Sequence, residues 1–203
     1  MSPQYPETST VKVWDPFVRI FHWSLVLLFL IAFMTEDDSL NLHVLVGYAI
    51  SLLIGFRLFW GWVGPHRARF LTFVKSPAVT IDYLRKMVSF RVPHYLGHNP
   101  VGAVMVIALL LSIALVSFTG MIIIASEGHG PLSGTFFSSW QYESMEDVHE
   151  FFANLTLLMV IAHIFGVIFS SYLEGENLVK AMVTGQKKNR PHWEDANPRK
   201  GRK

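Results

Sequence analysis

Between Ser144 and Leu173 the chain reads SMEDVHEFFANLTLLMVIAHIFGVIFSSYL, a mostly apolar stretch that carries two histidines, His149 and His163. Ser144, with Asp147 three residues on, predicts a helix start there. Fourteen residues at 100° each leave the two imidazoles about 40° apart around the axis, on one face, and roughly 21 Å apart along it. A hydrocarbon core of about 30 Å would place one near each of its surfaces. A lone histidine on an apolar face is usually a satisfied core residue. Two at this spacing in one span ask for partners, because an imidazole in lipid is costly unless paired or liganded.

Three further apolar runs are candidate spans. Asp15-Pro16, a cap followed by proline, opens the first, Pro16 to about Met34, with Arg19 near its start and His22 two turns in. The second, from about Leu40 to Val63, carries His43 one turn in and Arg57 fourteen residues later, and Gly64-Pro65 stops it. Asn99-Pro100 opens the third, Val101 to Ser126, which has neither charge nor histidine and reads as a structural wall in which Gly120 permits close approach. Between the second and third lies a basic connection, 66–98. Within it Ser76-Pro77 starts a helix whose stripe of Val79, Tyr83, Leu84, Met87 and Val88 reads either as interfacial or as an ordinary solvated connector. The first fourteen residues read as a mobile polar lead-in, with no cleavable signal peptide evident. Asn177 to Gly185 reads as a short glycine-capped helix. The chain from Gln186 on reads as a basic, disordered tail. The expected organisation is one membrane domain over residues 1–190 and a tail over 191–203.

All 17 Lys and Arg fall in or beside the N-terminus, the 66–98 connection and the C-terminus, whereas 35–42 and 127–145 hold none and are acidic. The positive-inside rule then puts both termini and the middle connection in the cytoplasm. In a bacterium the acidic loops face the periplasm. The fold expected is an all-α integral membrane protein of four transmembrane helices, with a short amphipathic helix in the interface. Orientation assigns depth: His43 and His149 lie toward the acidic side, His22 and His163 toward the basic side. The other five histidines fall in loops or the tail.

Two bis-histidine sites at opposite depths of a four-helix bundle match a transmembrane cytochrome with two haem b groups. Iron held by two imidazoles has no open position and moves electrons. With no cysteine in the chain, disulfides, iron–sulfur clusters and covalent haem attachment are excluded. Gly47 and Gly166 read either as places where a porphyrin lies flat or as points of close helix packing. A histidine-lined metal transporter is the alternative from another class, although it would gather carboxylates near the midplane, and no span here has one in its middle.

The stretches VWDPFVRIFHWSL, LHVLVGY, RLFWGWVGPHRARF, GHNPVGA, DVHEFFAN and AHIFGVIFSSYLEGENLVKAMVTGQK cover most of residues 11–190. In them the chain resembles the bacterial cytochrome b561 family, which includes the b-type subunit of membrane-bound nickel–iron hydrogenases. The resemblance implies His22, His43, His149 and His163 as axial ligands, and electron exchange with quinone in the membrane. It leaves the redox partner open: a hydrogenase-like enzyme, a c-type cytochrome, or none, the chain then being a quinone-linked oxidoreductase with a small diffusible donor.

Among the supporting residues, Arg19, Arg57, Arg67 and Arg69 are candidates to pair with haem propionates, Arg57 above the others because an unpaired charge inside a span is costly. Topology alone would also put basic residues on that side. His98 and Asn99 are candidates to border a quinone, although capping of the third span explains Asn99 better. The acidic outer loops suit a basic periplasmic electron carrier. The partners expected are thus lipid, quinone and a redox protein. Nothing points to nucleic acid, and the oligomeric state is open.

Overall fold

A computed structural model of the chain describes residues 10–36, 38–90, 92–93 and 95–188. In order these form β1 (Thr10–Lys12), α1 (Pro16–Met34), α2 (Leu40–Val63), α3 (Phe70–Phe73), α4 (Pro77–Val88), α5 (Pro100–Ser126), α6 (Tyr142–Glu174), α7 (Leu178–Thr184) and β2 (Gln186–Lys188). Single 3-10 turns lie at His66–Ala68 and Phe136–Ser139. The helices α1, α2, α5 and α6 are long and apolar enough to cross a membrane. Their outward residues agree: Leu52 is 76% and Leu158 63% exposed, positions where a water-facing helix carries polar side chains.

Local chemistry sets the helix starts. Asp15 Oδ1 accepts from the backbone N–H of Phe17 (3.0 Å) and Val18 (3.1 Å), and Pro16 needs no partner at the first position. Asn99 Oδ1 does the same for Gly102 N–H at 2.7 Å, ahead of α5. Asn177 accepts from Lys180 N–H, and Gly185 closes α7 in the left-handed conformation at φ 81°.

The chain divides into two compact units. One comprises Ile20–Phe59 and Met105–His163, most of the four long helices together with the α1–α2 and α5–α6 connections. Val46, Ile50 and Ile54 form its buried stripe on α2, and Leu110, Ile113, Ile122 and Ala125 are buried on α5. A buried hydroxyl pair joins α5 to α6, Ser112 to Thr156 at 2.7 Å. The Thr156 hydroxyl also donates to Phe152 O, so Ser112 supplies the proton between the two.

The other unit comprises Met1–Arg19, Trp60–Val104 and Ile164–Lys203. Here β1 and β2 pair antiparallel, Val11 opposite Lys187, while Val13 and Trp14 pack on Ala181 and Met182 of α7. Lys187 Nζ is buried between Glu174 Oε2 (3.5 Å) and Tyr95 O (3.2 Å). The Arg19 guanidinium donates to Val183 O, Arg67 to Lys12 O at 2.7 Å and Arg69 to Gly64 O at 2.6 Å.

Several expectations are corrected. The lead-in is not mobile from Thr10 on, nor is the tail free from Gln186: residues 10–12 and 186–188 form the two-stranded clasp. Three residues a side carry too short an alternation to read as strands. The helix α6 starts at Tyr142, two residues before Ser144, with Gln141 O accepting from Met145 N–H. The Ser144 hydroxyl points back to Gln141 Oε1 instead of capping. Ser76 precedes α4 but makes no side-chain cap bond. On α4, Tyr83 is buried while Val79, Leu84 and Val88 are exposed. The tail at 191–203 lies outside the described residues, as do residues 1–9.

Candidate functional site

The first unit brings the four span histidines together in pairs. The rings of His43 (α2) and His149 (α6) have centroids 6.1 Å apart, with planes at 76°. Those of His22 (α1) and His163 (α6) are 6.5 Å apart, at 56°. In each pair one ring comes from α6 and the other from a helix beside it, as the shared face on α6 requires.

The spacing is compatible with a shared metal ion. Two imidazoles binding one metal ion from opposite sides, each with a nitrogen–metal bond of about 2.0 Å and a ring centre about 1.1 Å beyond, would have centres roughly 6.2 Å apart. Both pairs match that separation. Directly packed rings in the same chain range from 4.5 Å, His98 to Trp14, up to 6.1 Å, Phe90 to Phe169, so the separation agrees with a shared metal ion without marking one by itself.

The outer ring nitrogens of the first pair are held. His43 Nδ1 lies 2.9 Å from Ala32 O, and His149 Nδ1 lies 3.0 Å from Val116 O and 3.1 Å from Thr119 Oγ1. A carbonyl only accepts, so each Nδ1 carries the proton and each Nε2 keeps its lone pair, the tautomer a metal ligand needs. Thr119 itself donates to Leu115 O or Val116 O. Gly120 makes room: a Cβ there would lie 3.1 Å from His149 Cε1. In the second pair, His22 Nδ1 is buried without a hydrogen-bond partner among the described residues.

Haem b fits both sites by donor set and separation, and the His43/His149 site by tautomer as well. At Gly47 a Cβ would meet nothing within 4 Å, and the same holds at Gly166, so neither glycine is a point of close helix packing. Arg57 is buried at 3% exposure on α2. Among the described residues no three of His, Asp and Glu gather as a metal-ion site. Arg19 and His98 belong to the other unit, Arg19 bound to a backbone carbonyl and His98 between two aromatic rings. Asn99 caps α5.

Sequence reasoning missed Thr119, Val116 O and Ala32 O. The carbonyls have no sequence signal. Thr119-Gly120 did have one, as a hydroxyl and a small residue side by side in an otherwise apolar run.

Residues 13–185 match the family described as prokaryotic cytochrome b561. A curated relative, a probable Ni/Fe-hydrogenase B-type cytochrome subunit of Rhizobium leguminosarum bv. viciae, is 24% identical over 218 residues, covering 89% of this chain and 90% of the relative. No solved structure matches significantly.

Proposed function

For a chain that belongs to the prokaryotic cytochrome b561 family, we propose transmembrane electron transfer through two haem b groups, between a periplasmic redox partner and the quinone pool. The observation that carries this reading is the paired imidazoles, 6.1 and 6.5 Å apart, separated by fourteen residues of one helix, roughly 21 Å. His43 and His149 hold one group, His22 and His163 the other. Each group, when bound, would supply a one-electron iron couple.

The chain's part is to orient, exclude and stabilise. The carbonyls of Ala32 and Val116 fix the ring tautomers. The apolar walls of α1, α2, α5 and α6 keep water from the sites. Arg57, and Arg19 with it, are the proposed counter-charges for propionates on the basic side. Both termini are placed in the cytoplasm and the acidic loops in the bacterial periplasm, where they suit a basic partner such as a hydrogenase-like enzyme or a c-type cytochrome. The helix α4 is placed at the cytoplasmic interface. His98 and Asn99 are proposed to border the quinone, in addition to packing and capping.

Reconstitution tests this. Protein in liposomes, with a membrane-impermeant reductant outside and ferricyanide trapped inside, is expected to reduce the trapped acceptor. His22→Ala and His43→Ala should each abolish it. Reduction at the rate of empty liposomes would refute the transmembrane route. Quinone reduction unchanged by altering both His98 and Asn99 would remove those two from the site.

A further inference from the structure

The two imidazole pairs differ in what stands behind them. At His43/His149 both Nδ1–H groups donate to oxygen: Ala32 O on one side, Val116 O and Thr119 Oγ1 on the other. At His22/His163, His22 Nδ1 is buried with no acceptor among the described residues. Arg57 stands fourteen residues after His43 on α2, about 40° around and roughly 21 Å along. It is therefore at the depth of the His22/His163 pair, and it is buried.

We propose that this asymmetry is a built-in redox gradient, with Thr119 a positioning residue that sets the electron-richness of His149. The proposal rests on the reading that each pair holds a haem.

An imidazole whose Nδ1–H donates to oxygen is the more basic at Nε2. A more basic ligand stabilises ferric iron over ferrous and lowers the potential, second-shell hydrogen bonding being one of the protein's levers on haem iron. At the other pair that push is missing on His22. A buried guanidinium nearby favours the state with one positive charge fewer, which is the ferrous one. Both effects have the same sign. The His43/His149 couple therefore lies below the His22/His163 couple, and electrons run downhill from the acidic-loop side toward the basic side. The step transfers one electron: the first couple is oxidised as the second is reduced, and no bond or proton is exchanged. The class of partner that must supply such a chain is a low-potential reductant on the acidic-loop side.

Thr119 allows the test, because Thr119→Val keeps the volume and removes the hydroxyl. Potentiometric titration of the purified holoprotein, followed in the reduced haem absorption, should resolve two one-electron waves. In T119V the lower wave should rise by severalfold, up to about tenfold, in equilibrium constant, about 59 mV per tenfold for one electron. The upper wave should stay where it is, and Thr119→Ser should restore the lower one. If T119V instead loses one haem, the lower wave must be the one that disappears. A shift or loss confined to the upper wave, or no change in either, overturns the gradient while leaving two haems per chain intact. Fewer than two haems in the unaltered protein overturns the gradient and the dihaem reading together.

Discussion

At the scale of single residues, four of the nine imidazoles stand in two pairs, each joining α6 to a neighbouring helix at a separation compatible with a shared iron. Removing one should cost one site and spare its neighbour. His43→Ala and His163→Ala are each expected to bring the haem-to-protein ratio from two toward one, as read by haemochrome assay. An unchanged ratio in either variant would remove that residue from the ligand set. Arg57→Leu should lower one potential and leave the other, since it deletes a buried cation from one depth only; a titration identical to the parent's would exclude Arg57 from any such role. The pairing of the four histidines was legible because lipid makes isolated histidine rare and helical geometry converts spacing into depth. Their supports were not, since Ala32 and Val116 contribute through carbonyl groups that every residue has.

At the scale of elements, α5 is more than a wall. It presents Val116, Thr119 and Gly120 on successive turns to one ring. Gly120→Val would drive a branched side chain into His149, where even a bare Cβ already approaches to 3.1 Å. It should empty the His43/His149 site selectively, leaving about one haem per chain; full occupancy would show that the ring has room to move aside. In the clasp, Lys187 and Glu174 side chains are each 2% exposed. Lys187→Met leaves a buried carboxylate without its cation and should destabilise by about 3 kcal/mol. Adding Glu174→Leu should recover most of that in thermal melts. Burial holds the Lys187 amine below its ordinary 10.5, although Glu174 pulls it back up. Between that lowered value and 10.5 the unfolded chain binds more protons, so native stability should rise with pH across this window, and the penalty is present in full below it. Lys187→Met should flatten that slope. Helix starts at Pro16, Pro77 and Pro100 were readable from cap-and-proline pairs. The clasp was not, because its stability comes from a pairing 176 positions apart, Val11 with Lys187, that no local pattern announces.

At the scale of the molecule, four helices able to cross a membrane and the family match over residues 13–185 make this a membrane cytochrome of b type. Charge asymmetry between the loops is the basis of the direction proposed for it in the bilayer. The partner lay beyond the sequence for a physical reason: docking depends on the shape and charge of a second surface. The central claim is two haems held by two pairs of histidines. Its most direct test is the haem content of the purified, detergent-solubilised chain together with its reduced-minus-oxidised spectrum. The account predicts two haems per chain and a b-type α-band. Colourless protein from cells well supplied with haem, or a stoichiometry fixed at one, would contradict it.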